Sequence, residues 1–167
     1  MAKVPPLNDK QQQFLSVLRS PWKMQLYFWK QLPSMAFWKV RIREINPRSC
    51  TVSLPFSRRT QNPFRSIYFS AQAGAAELSS GLLASLALQG HPPISMLVTH
   101  FHMDFIKKAT DTTYFCCEDG AKIFAAVQNC LQTEEPQQIE VQSKGYMPDG
   151  TEVSRARLQW SFKLKSR

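Results

Sequence analysis

A chain of 167 residues has room for one domain with a real core, and an apolar content of 43% excludes a disordered protein. A net charge of +9 points either to an anionic partner (nucleic acid, a membrane surface or a phosphorylated small molecule) or to charge that serves solubility alone. Cys50, Cys116, Cys117 and Cys130 lack CxxC or zinc-ligand spacing, so they are expected as reduced thiols in a reducing cytoplasm, and the amino terminus carries no apolar signal core.

Residues 7–19 have the period of a short amphipathic helix with Phe14, Leu15 and Leu18 on its apolar side. Ser20-Pro21 restarts the helix, since Ser caps and Pro suits the first helical position. In residues 21–32, Trp22, Leu26 and Trp29 form one stripe, widened by Tyr27 and Phe28. Core docking is the expected fate of such a stripe, with a partner chain or lipid as alternatives. Pro33 ends this helix.

Residues 36–45 then alternate as a half-buried strand, with Trp38, Val40 and Ile42 on one face and Lys39, Arg41 and Arg43 on the other. Asn46-Pro47-Arg48 is a turn, and residues 49–56 return with Cys50, Val52 and Leu54 inward. A basic loop, SRRTQNPFR, leads into residues 66–90. That run holds one charged residue, Glu77, no proline and many small residues, so it is expected to be a mostly buried helix. Gly74 and Gly81 lower helix propensity and imply a packing reason. A carboxylate in a buried helix is costly unless paired, hydrogen-bonded or protonated, which makes Glu77 the first candidate functional residue. The run approaches membrane-spanning length, but a central acid costs roughly 2.5–3.5 kcal/mol on insertion, so no transmembrane segment is expected.

Period-two alternation resumes over residues 94–106, followed by a short strand at 112–118. Asp119 can cap a helix over 120–132 that buries Ile123, Phe124, Val127 and Leu131. Residues 137–146 and 151–165 form a hairpin about Pro148-Asp149-Gly150, and the last strand alternates from Ser154 through Leu164. An antiparallel sheet wrapped round one apolar helix is the economical packing, an α+β architecture without repeats or linkers.

The chain resembles the hot-dog fold thioesterase superfamily, and within it the phenylacetyl-CoA thioesterase-like branch and a related set of hot-dog domains of unassigned function. The branch's motif sets an acid fifteen positions after an Asn, across a loop that often carries His-Gly-Gly. Asn62 and Glu77 stand at that separation, with Tyr68 in the place of the His, Phe69 and Ser70 in those of the glycines, and Arg65 where Gly is frequent. DGTEVSRAR before an alternating strand matches the superfamily's closing hairpin. The resemblance implies a curved sheet of about five to six strands round a long central helix over residues 33–167, with residues 1–32 as a helical extension. It also implies a homo-oligomer, dimer or tetramer, whose sheets pair edge to edge with sites at the interface.

The chemistry implied is hydrolysis of an acyl-CoA or acyl-carrier thioester. Glu77 would be general base or nucleophile, Asn62 and Tyr68 would orient substrate or water, and the Phe69 and Ser70 amides would form the oxyanion hole. Arg58, Arg59, Arg65, Lys107 and Lys108 are candidates for the coenzyme A phosphates, and coenzyme A enters as part of the substrate, with no separate cofactor. The rival reading is a non-catalytic hot-dog module that binds an acyl group or a partner protein. The hydratase motif of the fold is incomplete, because Thr60 and Arg65 stand where its Asp and His belong. His100, His102 and Asp104 share a strand face, but no fourth ligand accompanies them, so no metal site is assigned. Basic strand faces without an RNA-binding motif argue against nucleic acid, and neither a GxSxG elbow nor a phosphate-binding glycine pattern occurs.

Overall fold

A computed structural model describes residues 4–165. Residues 1–3 and 166–167, the outer ends of the two expected segments, lie outside the described residues. The order is α1 (Asp9–Leu18), α2 (Pro21–Gln31), α3 (Pro33–Phe37), β1 (Arg41–Ile45), β2 (Cys50–Leu54), α4 (Phe69–Leu88), β3 (Ile94–Phe105), β4 (Thr113–Cys117), α5 (Gly120–Thr133), β5 (Gln137–Tyr146) and β6 (Glu152–Leu164). Six strands form one antiparallel sheet in the order β1-β2-β4-β5-β6-β3. It packs on α4, the arrangement that the resemblance implies.

The alternation of β6 sets the inner face. Ser154, Ala156, Leu158, Trp160 and Phe162 are buried there, joined by Val52, Leu54, Phe115 and Val141 from neighbouring strands. Ala71, Ala75, Leu78, Leu82, Leu83 and Leu86 of α4 meet this surface. Buried polar side chains fix how the helix sits. The Ser79 and Ser143 hydroxyls are hydrogen-bonded at 2.8 Å, Ser154 Oγ donates to Gln72 Oε1 at 3.0 Å, and Trp160 Nε1 donates to Ser80 Oγ at 3.1 Å. Each would cost free energy if left unpaired in the core, so together they define one register of helix on sheet. No helix among the described residues is long and apolar enough to cross a membrane.

Three expectations are corrected. The stripe of α2 does not dock. Met24 and Phe28, on the opposite side of the helix, reach the core, and Trp22, Leu26 and Trp29 are 67%, 63% and 62% exposed. Both faces of α2 are apolar, and only one can turn inward. The first strand is shorter than its alternation suggests, because Pro33 starts α3 as well as ending α2, and Lys39 takes a left-handed φ of 57° before β1 begins. Asp119 stands at the N-cap of α5, but its side chain makes no cap. It accepts the Gln142 N–H at 2.8 Å and pairs with Lys122 at 2.9 Å.

Candidate functional site

Along α4, Ser70, Ala73, Gly74, Glu77, Gly81 and Ser85 recur every three or four residues and form the least buried face of the helix. Gly74 has the packing reason expected of it, and Gly81, whose added Cβ would make only ordinary contacts, does not. A Cβ on Gly74 would lie 2.8 Å from Met35 Cε and 3.0 Å from the Trp38 ring, and one on Gly81 would lie 3.5 Å from the Trp160 ring. Trp38 therefore closes over one turn of the helix and Trp160 over a turn two further on. Glu77 stands in the gap between the two indoles.

This overturns the expectation of a carboxylate sequestered in the core. Glu77 is on the open side of α4 and reachable from solvent. It is an exposed residue, and partial loss of hydration among the surrounding protein atoms pushes its carboxyl above the usual glutamate range. It makes no side-chain hydrogen bond or ion pair among the described residues. A carboxylate that no protein group neutralises is free to take a proton from a ligand or from water.

The other candidates gather at the amino-terminal end of the same helix. A cavity of about 350 Å³ is lined by Asn62, Phe69 and Gln72 on one side, and by Phe105, Lys107 and Lys108 from the end of β3 on the other. The Phe69 and Ser70 N–H groups, the first two of α4, have no acceptor among the described residues. The helix end, its unpaired amides and two lysines all favour an anion here. Tyr68 is the N-cap residue but caps with its backbone only. Its exposed ring packs edge-on against Phe69, with centroids 4.8 Å apart.

Asn62 is held by its own loop. Its Oδ1 accepts the N–H groups of Phe64 at 3.0 Å and Ser66 at 3.2 Å, and its Nδ2 donates to Ser66 Oγ at 3.1 Å. This makes Asn62 the organiser of a tight turn in which Arg65 takes a φ of 60°. Of the arginines, Arg59 stacks on Phe37 with its guanidinium carbon 5.5 Å from the ring centroid, while Arg58 and Arg65 are exposed and do not line the cavity. Glu77 is also absent from the cavity lining. It lies eight residues after Phe69, which at about 1.5 Å per residue is about 12 Å along the axis. His102 Nε2 and Asp104 Oδ1 are 2.9 Å apart on the exposed edge strand, and no group of three possible metal ligands converges among the described residues.

The family model for DUF4442, a domain of unknown function, matches residues 22–162. The chain belongs to the DUF4442 family. A comparison of this DUF4442 protein with curated proteins finds no match. Among solved structures it is similar to a Chlorobaculum tepidum protein of unknown function (TM-score 0.71, 13% identity, covering 87% of this chain and 98% of that one). It is similar to a thioesterase of Haemophilus influenzae (0.63, 11%, 86% and 90%). It is also similar to the PaaI protein of the E. coli phenylacetic acid degradation operon (0.63, 9%, 96% and 98%). At such identities the likeness shows the fold: this DUF4442 chain has the hot-dog fold that thioesterases share. The family match begins at residue 22, within α2.

Proposed function

We propose that the protein hydrolyses an acyl thioester, on coenzyme A or an acyl carrier, with Glu77 as general base. The observation that supports this most is an exposed, partly dehydrated carboxylate, without a protein partner among the described residues, on the least buried face of the central helix of a thioesterase-like fold. Water attacks the carbonyl carbon as Glu77 takes its proton. The carbon–sulfur bond breaks, and the thiolate leaves to be protonated. The Phe69 and Ser70 amides receive the charge that develops on the carbonyl oxygen, and Lys107 and Lys108 attract the phosphates. Water, the thioester and these groups complete the chemistry, and coenzyme A is part of the substrate.

Two turns of helix separate the base from those amides, too far for one carbonyl to touch both. The site is therefore shared: Glu77 of one copy works with the amides of another. The free edge of β3, twelve residues long with Leu97 and Phe101 exposed, offers the seam.

A panel of short, long and aromatic acyl-CoAs with a thiol reagent tests the proposal. Glu77→Gln is expected to lower kcat at least about 100-fold while leaving the protein folded. Absence of turnover across the panel overturns the enzyme. The rival module that binds an acyl group without cleaving it is favoured by one observation, the commitment of the Asn62 amide to its own loop. It predicts saturable acyl-CoA binding with no product.

A further inference from the structure

The segment that leads into the hot-dog domain carries an unpartnered apolar face. Within α2, Trp22, Leu26 and Trp29 follow one another at i, i+4 and i+7, opposite the buried Met24 and Phe28. Tyr27 and Phe37 add to the exposed apolar surface of this region, at 45% and 51%. A helix apolar on two opposed sides has a second environment to meet.

Charge identifies that environment. No Asp or Glu occurs between Asp9 and Glu44, while Lys23, Lys30, Lys39, Arg41 and Arg43 all fall in that interval and are exposed. Lys23 and Lys30 lie seven residues apart, about 80–100° round the helix from the centre of the stripe, and so flank it on the same side. The Lys23 ammonium is 5.6 Å from the Trp22 ring centroid. Beside α2, a groove of about 590 Å³ opens between the helix and β1, with Trp22 on its rim, Arg19, Arg41 and Arg43 in its walls and Glu44 as its single carboxylate. Indole rings and leucine flanked by lysines suit the boundary between headgroups and acyl chains, where the rings sink and the ammonium groups stay with the phosphates. A second copy is the poorer fit. An antiparallel two-fold contact centred on Leu26 would set Lys23 against Lys30 of the other copy, like charge on like.

We infer that the exposed face of α2 is a peripheral docking surface for an anionic lipid bilayer. The helix lies in the plane of the interface, held by Trp22, Leu26 and Trp29 and steered by the surrounding lysines and arginines. Neither Glu77 nor the cavity at the α4 terminus takes part, so this inference stands or falls apart from the hydrolase.

Flotation of the full-length protein with phosphatidylcholine vesicles, with and without about one-third phosphatidylserine, tests it. The protein is expected to float with the anionic vesicles only, and less at about 0.5 M than at about 0.1 M salt. Brominated lipid should quench part of its tryptophan fluorescence. Trp22→Ser with Trp29→Ser should weaken binding at least about tenfold, and Lys23→Glu with Lys30→Glu at least about thirtyfold, since each lysine near such a surface is worth about fivefold. All four positions are exposed, so both double variants should keep the wild-type melting temperature. Failure of the wild type to float with anionic vesicles overturns the inference. So does undiminished binding by both variants, or a change of oligomeric mass in the tryptophan variant, which would show a second copy on this face.

Discussion

Glu77 shows how one side chain's surroundings set both its usefulness and its cost. Dehydration raises its pKa in the folded chain, so between the ordinary and the raised value the folded state binds more protons than the unfolded. Stability contributed at this position is therefore lost as pH rises through that window, and Glu77→Gln should melt at an equal or higher temperature than wild type at neutral pH. A merely structural acid would give the opposite sign. If Glu77 is the base, activity needs its ionised form, so kcat/KM should fall on the acid side with a midpoint above the usual glutamate value. Gly81 offers a second test. An added Cβ makes ordinary contacts, 3.5 Å from Trp160 and 4.0 Å from Glu77 Oε1, so the helical preference of Ala decides the outcome. Gly81→Ala should stabilise by about 0.5–1 kcal/mol in chemical denaturation. Sequence alone finds Glu77 because it is the single charge in its run. It cannot tell which face of α4 stays open, because Ala, Gly and Ser occupy the covered and the uncovered faces alike. Gly74 is explained by Met35 and Trp38, neither of them near in sequence.

At the scale of elements, the helix is keyed to the sheet by hydroxyls rather than by shape alone. Ser79 has a second partner, its Oγ reaching the Ala76 carbonyl at 2.8 Å, whereas Ser79 is the one hydrogen-bond partner of the Ser143 side chain among the described residues. Ser79→Ala strands the Ser143 hydroxyl in the core and should cost about 1–3 kcal/mol. Ser143→Ala should cost less, and the double substitution less than the sum of the two, as a double-mutant cycle by urea unfolding will show. A tighter joint lies where α5 begins. A Cβ on Gly120 would fall 2.3 Å from the Pro47 carbonyl oxygen and 2.7 Å from that of Arg48, and the Gly120 N–H donates to Arg48 at 3.0 Å. These neighbours are backbone and cannot swing aside, so Gly120→Ala should cost about 1–3 kcal/mol. Strands with one wet face, β6 above all, are legible because alternation is a local signal. The buried face of α2 is not, since Met24 and Phe28 compete with a more apolar stripe and win only through what lies beneath them. Pro33 is ambiguous for a similar reason, because one proline both ends a helix and begins the next.

For the whole molecule, the separation of Glu77 from the Phe69 amide makes a sharp demand on assembly. Phe69→Pro removes one amide at a helix position that accepts proline, and Glu77→Gln removes the base. Each variant alone should be impaired. If the site is shared between two copies of a dimer, a mixed dimer holds one intact pairing out of two, and random exchange makes half of the dimers mixed, so it should restore about a quarter of the wild-type rate. If base and amides worked within one chain, mixing would restore nothing. The buried thiols belong to this scale too, since they report whether the core stays closed. Burial pushes Cys117 to about 12 and raises Cys50, its cross-strand neighbour, so neither should react with a thiol probe until the sheet opens.

The beginning of the chain is fastened to its middle. Asn8 and Gln11 close a reciprocal cap on α1, and their amides also donate to the carbonyls of Gln89 at 3.0 Å and Ala87 at 3.1 Å, near the far end of α4. Those contacts join residues 81 and 76 positions apart. On the ribosome, α1 must wait for the last turn of the central helix before it can settle. Until then α1 has no latch, and a nascent chain stalled before Gln89 would carry it loose beside α2, whose outer stripe stays exposed in the finished fold as well.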